Sequence, residues 1–165
     1  MKTIKFIVSC ALFISAGASF GHENMPHHTS GAPVAKEQKD WGIAGDAKAV
    51  RRTITLRMGD DMRFAPSHIE VQEGETVRLR AENRGKVLHE IVIGTKAELD
   101  AHAEMMKKHP GMEHDEPYMA HVAAGKQGDI VWQFNRAGQF DFACLIPGHY
   151  QARMTGTITV LPRNP

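Results

Sequence analysis

Cysteine is scarce in this sequence, with only two residues among 165. A disulfide-stabilised scaffold needs several pairs, so the chain must rely on a hydrophobic core, for which its length is sufficient. One sign of charge does not dominate either, because the net charge is +1. The composition therefore gives no reason to expect nucleic acid or an anionic membrane surface as a partner.

The sequence also lacks an apolar run that could cross a bilayer near its start. Residues 6–14 are apolar but fall well short of the roughly 20 residues that a span requires. Basic residues precede this stretch and the small residues 16–18 follow it, as in a secretory signal peptide. We expect cleavage of residues 1–21 and a periplasmic protein with no membrane span. A retained anchor, or a lipid attached at Cys10, is the alternative.

Cleavage would remove Cys10 and leave Cys144 as the one cysteine of the mature chain. A lone thiol in an oxidising compartment is prone to oxidation unless it is deeply buried or bound to a metal. Cys144 is therefore a candidate for one of these two roles.

Short strand-like runs dominate the second part of the chain. Residues 22–50 show no sustained periodicity, and we expect a flexible N-terminal segment there, followed by one domain over residues 51–165. Alternating apolar and polar residues separated by Gly, Pro and Asn indicate an all-β sandwich or barrel. The strand-like runs are residues 53–56, 69–71, 76–81, 87–93, 130–134, 139–143 and 156–161.

A helix interrupts this pattern in an insert at about residues 95–128. Thr95 and Glu98 have the spacing of a capping box, and strong helix formers follow them. Pro110 and Gly111 end the helical pattern. We expect the remainder of the insert to be an irregular loop.

Histidine and methionine are unusually common, with ten and nine residues. Cys144, His149 and Met154 recur at five-residue intervals between two strand-like runs. His89 lies far upstream, in another strand-like run, and a sandwich can bring the end of that strand beside this loop. A thiolate, two imidazoles and a weak thioether suit copper as both Cu(II) and Cu(I). A zinc site would need more cysteines, or histidines with a carboxylate.

The segment from Cys144 to Met154 resembles the ligand loop of the cupredoxins, the type 1 copper proteins. Its core, Cys-x-Ile-Pro-Gly-His, and its long spacing to Met154 are similar to those of rusticyanin and auracyanin. Residues 83–89 resemble the segment that supplies the first histidine. The resemblance covers roughly residues 52–161 and departs from many relatives at Arg153, where they have glycine.

This resemblance implies a Greek-key β-sandwich with one type 1 copper site. His89, Cys144 and His149 would be the equatorial ligands, and Met154 would be the axial ligand.

Further histidines and methionines lie outside this set and form candidate accessory sites for weaker copper binding. Four of them share one face of the predicted helix, because they are spaced at i, i+3, i+4 and i+7. The N-terminal group is His22, Met25, His27 and His28, and the helical group is His102, Met105, Met106 and His109. Core packing of the helical methionines and a plain polar linker are the alternatives.

These extra residues and the His89–Glu90 pair resemble the CopI-type periplasmic cupredoxins associated with bacterial copper tolerance. The function implied is to bind copper ions or to hand them on to a copper-transfer partner. The alternative is a one-electron carrier to a respiratory or oxidase partner. An enzyme is not expected, because the sequence has no His-x-His pair of the kind that feeds a trinuclear oxidase cluster.

Overall fold

The fold is known from a computed structural model, which describes residues 36–163 apart from residues 111 and 113. The predicted signal peptide and the N-terminal His/Met group lie outside the described residues. Among the described residues, no helix is long and apolar enough to cross a membrane.

Two five-stranded sheets carry the described part of the chain. The first has the order β1-β8-β5-β2-β3 and the second β4-β10-β9-β6-β7. The first sheet consists of β1 (Ile43–Ala44), β2 (Arg52–Gly59), β3 (Arg63–Ala65), β5 (Glu75–Asn83) and β8 (Gln127–Phe134). The second consists of β4 (His68–Gln72), β6 (His89–Gly94), β7 (Met119–Val122), β9 (Gly138–Ala143) and β10 (Thr155–Leu161). A short 3-10 helix spans Ala47–Ala49, and α1 spans Lys96–Lys108.

Alternation of side chains explains why these strands form a sandwich. In β4 and β10 every second residue is buried, which fits sheets with one face on the core. Large side chains from both sheets meet between them, among them Leu56, Trp132 and Phe142. The expected all-β sandwich with an inserted helix is confirmed, and two separate sheets exclude a closed barrel.

Strand β6 is buried along its whole length. Its outer face is covered by α1, where Leu99 and Ala103 pack with Val92 in a small second cluster. The capping box is present: Thr95 accepts from the Glu98 backbone, and the Glu98 side chain accepts from the Thr95 backbone. The helix therefore begins where the sequence predicts, and it ends just before Pro110.

Two expectations need correction. Trp41 and Ala44 are buried and β1 pairs with β8, so the part of the predicted flexible segment around them belongs to the fold. Trp132 donates a hydrogen bond to the Trp41 carbonyl at 2.9 Å, which fixes this entry strand. The insert is also not irregular throughout, because β7 extends the second sheet beside β6.

Candidate metal centre

Neighbouring strands bring together two residues that are far apart in the sequence. Strands β6 and β9 are antiparallel, with Val92 opposite Ala143. His89 opens β6, and Cys144 follows directly after the last residue of β9. Because the two strands run in opposite directions, the residues that follow Ala143 lie beside the first residues of β6, and Cys144 therefore approaches His89.

His89, Cys144 and His149 form a compact cluster. One ligating atom of each lies within 4.8 Å of the others. The Cys144 Sγ atom is 3.2 Å from His149 Nδ1. The rings of His89 and His149 have centroids 4.9 Å apart and are tilted by 50°. One thiol and two imidazoles thus converge on a common space.

His89 provides the clearest sign that this space fits a metal. The residue is fully buried, and neither ring nitrogen has a hydrogen-bond partner among the described residues. Its Nε2 faces Asp60 Oδ1 at 3.7 Å, which is too long for a hydrogen bond. Buried polar atoms are normally paired, so an unpaired imidazole beside a thiol suits a metal ligand.

Asp60 also shapes the backbone that leads to His89. Its carboxylate accepts from the Lys86 backbone N–H at 2.9 Å, and this bond is the main cause that lowers the pKa of Asp60. A Cβ atom at Gly85 would collide with the Asp60 carboxylate. Glycine at position 85 therefore allows the loop to approach Asp60 closely.

Burial controls the protonation of Cys144 and His149, the two candidate ligands from the loop. Burial raises the pKa of the Cys144 thiol from 9.0 to about 12. It lowers the pKa of His149, and the neighbouring His89 lowers it further. The metal-free site therefore holds a neutral thiol and a neutral imidazole at pH 7, and a metal that binds the sulfur as thiolate must displace its proton.

Backbone hydrogen bonds tie Met154 to the other loop residues. The Met154 carbonyl accepts from the Cys144 backbone N–H at 3.0 Å, and the Met154 N–H donates to the His149 carbonyl at 3.1 Å. The Met154 side chain is fully buried within the main core. Arg153 has a φ of +64°, in the left-handed region that glycine prefers. A glycine at this position would adopt the same backbone conformation without strain.

Glu90 anchors the loop from strand β6. Its side chain is 2% exposed, and Oε1 accepts from the Leu145 backbone N–H at 2.7 Å. Oε2 lies 2.9 Å from His121 Nε2 on β7. The sequence alone assigns no role to Glu90, because only the strand register places its carboxyl group against the residue that follows Cys144.

The candidate accessory residues of α1 do not share one environment. Met106 is buried, whereas Met105 is 37% exposed. His109 caps the exposed end of the helix. His102 is partly buried and faces His114, with ring centroids 4.7 Å apart.

Comparison with known proteins gives a consistent picture. Residues 50–161 match the family described as copper binding proteins, plastocyanin/azurin family. Over 151 residues the chain is 48% identical to the copper-resistant cuproprotein CopI of Rubrivivax gelatinosus, with 91% of each chain covered. It is 35% identical to the protein of that name from Pseudomonas aeruginosa, covering 74% of this chain and 83% of the other.

Solved structures share the fold at lower identity. A reduced auracyanin from the photosynthetic bacterium Roseiflexus castenholzii superposes with a TM-score of 0.59 at 22% identity, covering 68% of this chain and 99% of the other. At this identity the likeness establishes the arrangement of strands alone.

Proposed function

This chain belongs to the plastocyanin/azurin family of copper-binding proteins, and from that premise we propose that it holds one type 1 copper and contributes to copper tolerance. Copper is the cofactor of this family. The proposed ligands are His89, Cys144 and His149, with Met154 as the axial ligand. The observation that carries the proposal is the buried, unpaired imidazole of His89 beside the Cys144–His149 pair.

The proposed ligands lie on well-anchored parts of the chain, which supports the proposal. The first histidine is fixed by the buried strand β6, and Cys144 by the end of β9 and its backbone bond to Met154. His149 stays partly exposed and forms the side of the site nearest to solvent. Copper bound there would gain and lose one electron as it cycles between Cu(II) and Cu(I), and a set of thiolate, imidazole and thioether ligands suits both states.

A Cu(II) titration of the mature protein tests the proposed ligands. We expect an intense thiolate-to-copper absorption band that saturates at about one copper per chain, with the matching EPR signal, because one thiolate is available. Cys144→Ala should abolish the band. His68→Gln, on an exposed residue of the edge strand β4, which two strands separate from β6, should leave it unchanged. No band in the parent protein would refute the type 1 site.

The proposed role in tolerance is supported by the relatives named copper-resistant cuproproteins, which match most of this chain. We propose that the mature chain acts in the periplasm, where it sequesters copper or passes it on. Deletion of the gene should lower the copper concentration that stops growth, and the parent gene should restore it. If the Cys144→Ala gene restores growth equally well, the type 1 site is not the basis of tolerance.

The N-terminal residues His22, Met25, His27 and His28 are proposed as an additional copper-capturing group. Histidine-rich tracts bind metal without a folded site. A protein that lacks residues 22–28 should bind less copper while retaining the thiolate band. Equal copper content in the two proteins would exclude this group.

A one-electron carrier is the second candidate function. The partly exposed His149 beside otherwise buried ligands favours it, because electrons need a short path to the surface. Two apolar neighbours of His149 offer little surface for a protein partner, since Leu145 is 1% exposed and the Tyr150 hydroxyl donates a hydrogen bond to Asp100. Fast electron exchange with a cytochrome would support this function, and a redox-inert site would exclude it. No catalytic reaction is proposed, since the four ligands leave no position for a substrate.

A further inference from the structure

A second pair of histidines lies outside the proposed type 1 site. His102 is on α1, and His114 is in the chain that follows the helix. Their ring centroids are 4.7 Å apart and their planes are tilted by 41°. Twelve positions separate them in the sequence, so their approach results from the fold of the insert rather than from helical spacing.

This pair repeats the geometry of the first one. His89 and His149 have centroids 4.9 Å apart with a tilt of 50°. In each pair one member has two buried ring nitrogens that find no hydrogen-bond partner among the described residues, and these members are His89 and His114. A buried polar group that has no hydrogen-bond partner destabilises the folded state. A metal ion bound between the two imidazoles of a pair would give a ring nitrogen of His89, or of His114, the partner that it lacks.

The electrostatic surroundings favour a cation between His102 and His114. Burial lowers the pKa of His102, and the nearby His114 and His121 lower it further. His102 is therefore a neutral imidazole at pH 7, which is the form that ligates metals. The carboxylate of Glu90 acts on His102 in the opposite direction and adds negative charge to the region. His121, which Glu90 holds at 2.9 Å, borders the pair from β7.

We propose that His102 and His114 form a second metal site, which binds Cu(II) through two imidazoles and without a thiolate. Imidazoles suit copper, nickel and zinc, and Cu(II) binds most tightly in this series. Without sulfur the site would lack an intense absorption band, so it is distinguishable from the type 1 site by spectroscopy. The inference goes beyond the proposed function, because it requires neither Cys144 nor a role in tolerance.

The site differs from the set expected on one face of the helix. Of that set only His102 belongs to it, since Met106 packs inward and Met105 and His109 have exposed environments. The second ligand comes from His114 instead. A variant of His109 therefore separates the two ideas on the same helix.

Equilibrium dialysis of the mature full-length protein against Cu(II), combined with EPR, tests the proposal. The variants are His102→Gln, His114→Gln and the two together, with His109→Gln and His68→Gln as controls. The double variant should bind about one copper fewer per chain and lose a nitrogen-ligated EPR signal, because two imidazoles form the proposed ligand set. Both controls should match the parent, and the thiolate band should remain in every variant and report that it is folded.

Each outcome has one meaning. If the double variant keeps the thiolate band and binds as much extra copper as the parent, the second site does not exist. If His109→Gln loses the copper instead, the helical face binds it and the His102–His114 site is wrong. If the parent shows no thiolate band but His102→Gln and His114→Gln still reduce copper binding, the second site stands while the type 1 proposal fails.

Discussion

The Cys144 sulfur is fully buried, and its thiol pKa of about 12 means that the metal-free protein keeps a neutral thiol over the physiological pH range. Burial next to an imidazole therefore does not by itself make a reactive thiolate. The neutral form protects Cys144 from oxidation, because the thiolate is the reactive form. With Cys144 as the proposed ligand, copper binding and deprotonation of the sulfur must then occur together.

Proton release tests this coupling. At pH 8 ordinary imidazoles are neutral, so binding of Cu(II) should release about one proton per chain from the Cys144 thiol. Calorimetric titration in two buffers of different ionisation enthalpy measures that number. The Cys144→Ala variant is the control and should release none from this position. Binding without proton release in the parent would mean that the thiolate exists before the metal arrives.

The sign of the pH effect on the metal-free protein follows from the same pKa. The folded thiol has its pKa raised above 9.0, so its contribution to stability is complete below pH 9 and is lost as the pH rises towards 12. Above pH 9, unfolding by urea should therefore show a steeper loss of stability for the parent than for Cys144→Ala. Parallel curves for the two proteins would contradict the raised pKa.

Arg153 is the other residue whose conformation is informative. Its positive φ of 64° is strained for any residue with a Cβ atom. We expect Arg153→Gly to stabilise the metal-free protein by about 0.5–1 kcal/mol, since relief of strain exceeds the added chain entropy of glycine. Urea unfolding measures this change, with Arg63→Gly, in a strand, as the destabilising control. A lower midpoint for Arg153→Gly would show that contacts of the side chain outweigh the strain.

At the scale of elements, strand β6 contributes to the candidate site in two ways. It supplies His89, and through Glu90 it holds the chain that leaves Cys144. Because β6 lies between β9 and β7, the same strand also reaches His121. The loop that carries three of the proposed ligands is thus fixed from a neighbouring strand rather than by its own sequence alone.

Removing the Glu90 side chain should expose this dependence. Glu90→Ala leaves the buried Leu145 N–H without its acceptor, which should cost about 1–3 kcal/mol and loosen the loop. Glu90→Gln retains an acceptor oxygen of similar reach and should cost less. Urea unfolding gives the energies, and the position and width of the copper EPR lines report the loop. If both variants match the parent in unfolding and EPR, Glu90 does not position the site.

At the scale of the whole molecule, the chain that precedes the first long strand completes the core. Trp41 is 3% exposed, contacts Tyr118 edge to face at 5.5 Å between ring centroids, and pairs through its carbonyl with Trp132. An aromatic side chain buried in this way contributes several kcal/mol. The folded unit therefore begins before residue 51, the position at which the sequence pattern predicts its start.

Trp41→Ala tests this extension of the core. We expect a loss of about 3–5 kcal/mol in the free energy of unfolding. Copper should still give the thiolate band at low temperature, since β1 is an edge strand of the first sheet, whereas β6 and β9, which lead to His89 and Cys144, belong to the second. Lys36→Ala, at an exposed position nearby in the chain, is the matched control. Equal stability of the two variants would mean that the N-terminal strand only covers the surface.

Much of this protein is determined by local sequence. Alternating side chains predict the strands of the sandwich, and Thr95 with Glu98 predicts the start of the helix, because these signals depend on near neighbours in the chain. The spacing of Cys144, His149 and Met154 predicts a metal loop for the same reason. Chemistry of this kind needs only the identity and order of the residues.

Only the tertiary structure determined the contacts between residues that are distant in the sequence. Only the register of β6 with β9 places Glu90 against Leu145, and only the fold of the insert brings His114 to His102. The burial of Trp41 likewise depends on strand β8. Such contacts leave no local period, because the strand pairing and the packing that create them are properties of the assembled chain.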